Sequence, residues 1–196
     1  MVNSKILSLN NFHLHYGKSD FSIGPDFNLE IKKGELLGIV GESGCGKSTL
    51  GKIFIGLINR HESHHFGIKK IEGELSINID GLDKSINYLN TSYKRLRLMR
   101  KKVQMIFQIP RSALNLKMPV INMLMETSKL GNPSLSTFKR KKIIYNTLTG
   151  TGFIDKSVPF DKFENHKLVR STNGALSGGE RRRVSIAKSM VMSPDF

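Results

Sequence analysis

Nine residues, Gly41-Glu42-Ser43-Gly44-Cys45-Gly46-Lys47-Ser48-Thr49, decide the reading of this chain. An apolar run, Leu36-Leu37-Gly38-Ile39-Val40, leads into them, and a helix-like segment, Leu50 to Leu57, follows. Their spacing fits G-x-x-x-x-G-K-[ST]. Glycines let successive backbone N–H groups curl into a nest that holds an anion. A helix starting at that point adds its unsatisfied N–H groups and the positive end of its dipole. In a loop of this kind Lys47 is expected to reach the β- and γ-phosphates of a nucleotide, and the Ser48 hydroxyl to ligate Mg²⁺.

Composition narrows the class. A length of 196 residues makes one domain, or one and a fraction. No apolar run approaches the roughly 18 residues of a spanning helix. The start, Met1-Val-Asn-Ser-Lys-Ile-Leu, has no apolar signal-peptide core, so a cytosolic chain is expected. The single cysteine, Cys45, permits no internal disulfide and reads as a small side chain in a crowded turn. A redox switch is the lesser alternative, because a helix N-terminus favours thiolate. The net charge of +15 is large and collects in Lys94-Arg95-x-Arg97, Arg100-Lys101-Lys102, Lys139-Arg140-Lys141-Lys142 and Arg181-Arg182-Arg183. Solvated faces are the default reading of each cluster, and a surface near an anionic leaflet comes next. No aromatics interleave with the clusters as in a single-strand binder.

Around the loop, residues 4–16 alternate as a strand, with a bulge expected near Asn10-Asn11 before the turn at Tyr16-Gly17-Lys18. Phe27–Ile31 alternates cleanly, and Lys33-Gly34 turns the chain into Glu35–Val40, expected as a buried strand under the phosphate loop. Glu74–Ile79 is another strand. The loop between carries His61, His64 and His65, read as solvated in the absence of a second ligand cluster of matching spacing. Helices are expected over 92–102, 119–130 and 136–148, and a short strand over Val103–Phe107 that stops at Gln108-Ile109-Pro110. Residues 155–175 read as irregular. Near the end, Leu176-Ser177-Gly178-Gly179-Glu180 opens a helix whose apolar face is Val184, Ile186, Ala187, Met190 and Val191, a second candidate anion site.

Two phosphate-seeking helix starts with a strand ending in Gln-x-Pro between them resemble the ATP-binding subunit of ABC transporters. The loop Gly41–Thr49 takes the place of Walker A, Gln108 that of the glutamine loop, and Leu176–Glu180 that of the signature. The stretch Met105–Val120 looks like the "MIFQDPxxSLNPRxxV" segment of oligopeptide, dipeptide and nickel importer ATPases. The resemblance implies an α/β fold, a P-loop NTPase of the ABC type with an antiparallel β subdomain and a helical subdomain. It places the β subdomain and Walker A core at about 1–90, the helical subdomain at about 91–175, and the signature and its helix at 176–196. It implies ATP and Mg²⁺ as cofactors. Nucleotide contacts would come from Tyr16, stacked on adenine, from Gly41, Glu42, Ser43, Gly44, Cys45, Gly46, Lys47, Ser48 and Thr49, and from Gln108. Ser48 and Gln108 would share the metal and its water. Leu176, Ser177, Gly178, Gly179 and Glu180 would clamp ATP bound to a partner subunit in a head-to-tail pair. The partners implied are a second ATP-binding subunit, identical or different, transmembrane permease subunits and, indirectly, a solute-binding protein. The place implied is the inner face of the cell membrane.

Departures from the pattern set further expectations. Ile109 stands where the family has Asp, Leu116 where it has Pro, and Glu180 where it has Gln more often. Ser193-Pro194-Asp195-Phe196 looks like the entry to the Walker B strand. The metal-holding Asp and the water-polarising Glu are expected roughly four or five residues beyond Phe196, so no catalytic residue is assigned and the C-terminal core strands are expected to be missing. On that reading the 196-residue chain alone would be poorly stable and would not turn over ATP. The leading function is the ATP-binding subunit of an importer coupling ATP hydrolysis to uptake of a peptide- or nickel-class solute. The alternatives are a non-hydrolysing remnant that at most binds nucleotide or a partner, and a soluble ABC protein acting on nucleic acid, which the importer-like stretch disfavours.

Overall fold

The structure is a computed structural model, and it describes residues 4–17, 21–109 and 113–196. Lys18 of the first turn, and Pro110, Arg111 and Ser112 of the importer-like stretch, lie outside the described residues. The chain forms two compact units, residues 1–103 with Asp195, and residues 104–194 with Phe196.

The first unit is built on a three-stranded antiparallel sheet of order β2-β1-β3, with β1 Lys5–Tyr16, β2 Ser22–Lys32 and β3 Ile68–Ile77. Apart from Ile6 at its start, the buried side chains of β1 are Leu7 and Leu9 on odd positions, then Phe12 and Leu14 on even ones. A strand alternates with period two, so this change of parity requires one extra residue. It falls at Asn10-Asn11, where the register of β1 shifts against both neighbours. Asn11 takes a left-handed φ of 46°, a conformation asparagine tolerates better than most residues. Across the ladder Gly73 sits at φ 99°, and a Cβ there would lie 2.6 Å from the Asn10 carbonyl oxygen and 2.8 Å from that of Asn11. The bulge on β1 and the glycine on β3 therefore require each other.

Two helices complete this unit, α1 Lys47–Phe54 and α2 Tyr93–Lys102. Gly56 follows α1 at φ 66°, and a Cβ there would meet Leu96 and Met99 of α2 within 2.8 Å. The Arg100 guanidinium donates to the Ile55 and Gly56 carbonyls at 3.2 and 2.6 Å, satisfying acceptors that α1 leaves open at its C-terminal end.

The expected strand over Glu35–Val40 is not formed. The run has no regular structure, Leu36 is 100% exposed and Val40 92% exposed. β-propensity supplies the residue types, but a strand exists only through neighbours that accept and donate along its length. None of the three described strands pairs with this run. Val103–Phe107 is corrected on the same ground: it is irregular, although Val103 itself is buried.

The second unit is helical: α3 Val120–Gly131, α4 Thr137–Gly150, the single turn α5 Lys167–Arg170, and α6 Gly178–Met190. Its core joins Val120 and Leu124 of α3, Ile144 and Leu148 of α4, Val184 and Ala187 of α6, and Val191 after it. Ile186 is only half-buried and Met190 is exposed, contrary to the expected face. At 100° per residue they fall away from the stripe that 184, 187 and 191 define. The basic run 139–142 is not one solvated face. Arg140 is buried and donates to the Asn132 and Leu135 carbonyls at 3.3 and 2.9 Å, pinning the α3–α4 connection. Lys141 pairs with Glu164 at 2.8 Å, and Lys139 and Lys142 are exposed.

Gly73→Ala should destabilise the protein by about 2 kcal/mol, because it combines a left-handed backbone with a clash against β1. Urea unfolding followed by circular dichroism measures this. An unchanged midpoint would show that the bulge can move.

Candidate nucleotide-binding site

The phosphate loop lies in the first unit. Gly44 and Gly46 take left-handed φ of 88° and 93°, and Cys45 N–H donates to the Glu42 carbonyl at 3.3 Å, so the loop closes as a tight turn. Helix α1 starts at Lys47 directly after Gly46. No side chain caps this start, and no acidic residue stands in its first turn. Its leading N–H groups thus keep their capacity to bind an anion. The Lys47 ammonium lies over the loop and donates to the Gly41 and Glu42 carbonyls at 2.7 and 2.6 Å, with the Cys45 Sγ 3.4 Å away.

The sheet holds the loop in place. A Cβ on Gly46 would come 2.6 Å from Ile23 Cδ1 and 3.4 Å from the Phe21 ring, so bare backbone packs against the start of β2. Tyr16, at the end of β1, has its hydroxyl 2.7 Å from the Thr49 Oγ1, and its ring lies 5.7 Å from that of Phe21. Two aromatic rings and the first turn of α1 are thereby brought together. With the Thr49 hydroxyl engaged, Ser48 is the exposed hydroxyl of that turn. Sequence reasoning missed Phe21 and Ile23. Both are apolar residues just after a turn, with no spacing that points toward the loop.

Gln108 and the 176–180 motif belong to the second unit. Gln108 is exposed on irregular backbone. A cavity of about 100 Å³ lies against the same segment, lined by Gln104, Met105, Phe107, Ala113, Lys188 and Met192 among others. Lys188 donates to the Ala113 carbonyl at 2.6 Å, and burial pulls its pKa below the usual lysine range. Leu176 is buried, whereas Ser177, Gly178 and Gly179 are exposed at the start of α6. Ser177 and Glu180 form a reciprocal cap: the Ser177 Oγ accepts from the Glu180 N–H at 3.3 Å, and the Glu180 carboxylate accepts from the Ser177 N–H at 2.7 Å. That backbone N–H, with the Ser177 hydroxyl second, holds the Glu180 carboxyl below its usual pKa. The Ser177 oxygen accepts in the cap, and its hydroxyl also faces the Glu180 carboxylate. His64 and His65, on an exposed 3₁₀ turn, lie with their rings 3.9 Å apart. Among the described residues no group of three His, Cys, Asp or Glu side chains could hold a metal ion.

The ABC transporter family profile matches residues 25–196. The chain belongs to the ABC transporter family. Among its ABC relatives, the oligopeptide transport ATP-binding protein OppF of Streptococcus pyogenes serotype M1 is 30% identical over all of this chain and 56% of its own length. OppF of Bacillus subtilis strain 168 is 27% identical over the same shares. The dipeptide transport ATP-binding protein DppF of Haemophilus influenzae is 31% identical over 88% of this chain and 43% of its own. The chain thus spans about half the length of these relatives. Among solved structures, cbiO1 from Clostridium perfringens, part of the ABC transporter complex cbiONQ, matches with a TM-score of 0.68 and 25% identity over 97% of this chain and 62% of its own. The ATP-binding cassette MJ0796, in a dimeric post-hydrolysis state bound to ADP and Pi, matches with a TM-score of 0.71 and 23% identity over 96% of this chain and 70% of its own, a likeness of fold. The expected ABC-type P-loop fold is therefore shown. Among the described residues its sheet is the antiparallel one alone.

Ser177→Ala should lower stability by about 1 kcal/mol through loss of the α6 cap. The Glu180 side of the cap has a set pH dependence. Its folded pKa is depressed, so its contribution is present at neutral pH and is lost as pH falls through the folded value, below the usual carboxylate range. Thermal melts of Glu180→Ala and the parent should therefore differ at pH 7 and converge only as the pH falls below the usual carboxylate range. A difference that stays constant with pH would contradict the cap.

Proposed function

We propose that this chain is the ATP-binding unit of an importer that takes up a small solute of the peptide or nickel class. The observation that carries the reading is the uncapped start of α1 behind a glycine loop, with the Lys47 ammonium already poised over it. The names of the relatives, oligopeptide and dipeptide transport ATP-binding proteins, support the peptide side of that class.

The residues divide the work. The N–H groups of Gly44 to Thr49 receive the phosphates, and Lys47 exchanges the Gly41 and Glu42 carbonyls for β- and γ-phosphate oxygens. The exchange replaces neutral acceptors by charged ones, so it favours the bound state. Tyr16 offers its ring to adenine, and its bond to Thr49 fixes that ring relative to the loop. Ser48 supplies the exposed hydroxyl of the first turn, a hard oxygen donor of the kind a magnesium ion takes, and the resemblance adds Gln108 as a second donor. Bound there, the ion would neutralise charge on the bridging phosphate oxygens. Ser177, Gly178 and Gly179 present an exposed, glycine-lined helix start to the γ-phosphate of ATP held by a second subunit, identical or different. Gln108 and the cavity beside it would report nucleotide state to a permease subunit, and a solute-binding protein would act through that permease. No helix among the described residues is long and apolar enough to cross a membrane, which suits a subunit resting on the inner face of one.

Calorimetric titration with MgATP tests the reading. Lys47→Ala should weaken binding ten- to a hundredfold, the range for loss of hydrogen bonds to charged groups. Tyr16→Phe should lower the affinity for ATP relative to tripolyphosphate, because it frees the ring and leaves the loop. Equal ATP affinity in parent and Lys47→Ala would overturn the site.

A further inference from the structure

The helical unit carries an excess of charge that the nucleotide site does not use. Residues 104–194 contain fifteen lysines and arginines against five aspartates and glutamates, a net charge of +10 of the chain's +15. In the same unit four aromatic rings run from the core to the surface. Phe163 is fully buried and stacks on Phe160 at 5.6 Å; Tyr145 meets both rings edge-on at 5.5 and 5.4 Å. Phe160 in turn holds the edge of Phe138 at 5.7 Å. Phe138, in the first turn of α4, is 64% exposed.

Exposed lysines neighbour these rings along the chain. Lys142 follows Phe138 by one helical turn on the same face, Lys139 adjoins it, and Lys162 stands two residues after Phe160; all three are exposed. Among the described residues no ion pair engages them. Of the acids in this stretch, Glu164 is tied to Lys141, while Asp155, which accepts from the Ser157 N–H at 2.8 Å, and Asp161 are exposed. The edge contact with Phe160 covers only part of the Phe138 ring. An exposed phenylalanine gains nothing from water.

We propose that the face formed by Phe138, Phe160, Lys139, Lys142 and Lys162 docks on an anionic phospholipid surface, with Phe138 entering the headgroup–acyl boundary and the lysines meeting lipid phosphates. Charge complementarity selects an anionic partner, and a ring with no polar tip, rigidly backed by Phe160, suits an interfacial anchor. A single-strand nucleic-acid surface would set successive aromatic platforms along a basic groove. Here one ring is exposed, and the others lead inward. The inference is independent of the nucleotide reading.

The test is cosedimentation of the full chain with vesicles of phosphatidylcholine alone or with 30% phosphatidylglycerol, each with and without polyuridylate competitor. The chain should bind only the anionic vesicles. The double variant K139E/K142E should weaken binding about thirtyfold or more, from removal of two lysines near the surface. F138S should weaken it several-fold, and the loss should persist at 0.5 M salt. Both variants alter exposed positions, and circular dichroism checks that they remain folded. Equal binding to both vesicle types, or binding insensitive to K139E/K142E, would overturn the proposal. So would displacement by polyuridylate at matched charge, which would assign the face to nucleic acid.

Discussion

Helix α1 can begin where it does only because position 46 carries no side chain. Its backbone, at a left-handed φ of 93°, lies against Ile23 and Phe21, and a Cβ there would come 2.6 Å from Ile23 Cδ1. That packing seats the start of α1 on the antiparallel sheet. Everything attributed to the site follows from it. The first-turn N–H groups are left uncapped, Lys47 folds back over the loop, and Thr49 comes within hydrogen-bonding reach of Tyr16 on β1. The sheet is thus more than a support for the loop. Through Tyr16 and Phe21 it sets two aromatic rings beside the start of α1.

The same dependence runs down the sheet. Tyr16 ends a strand whose inward face changes parity at Asn10-Asn11. Without the extra residue, Phe12 and Leu14 would face solvent. The bulge is accommodated by Gly73 on the neighbouring strand. A backbone detail far from the loop therefore decides which way the last residues of β1 point.

How much of this could be read from the sequence depended on range. The loop was legible, because its chemistry is written in nine consecutive residues, and so were helices whose caps and stripes are local, such as α4 behind Ser136. The bulge was legible from the break in alternation between Leu9 and Phe12. Gly73 as its partner was not, since the two lie on different strands. The Tyr16–Thr49 bond joins residues 33 positions apart and leaves no periodic trace. Arg140 looked like one of four surface cations, yet it is buried on carbonyls that only the α3–α4 turn brings to it. Leu36–Val40 misled in the opposite way: its residue types are those of a strand, but pairing is a property of neighbours rather than of composition. Residue types state what a segment can do, and the partners decide whether it does it.

The central claim is that the glycine loop, the start of α1 and Tyr16 act as one nucleotide-binding surface. Amide hydrogen exchange of the full chain with and without MgATP tests it most directly. The account predicts slowed exchange at residues 44–50 and at the end of β1 around Tyr16, with the outer part of β3 unchanged. Slowing confined to other segments, or none at 44–50 under saturating nucleotide, would contradict it.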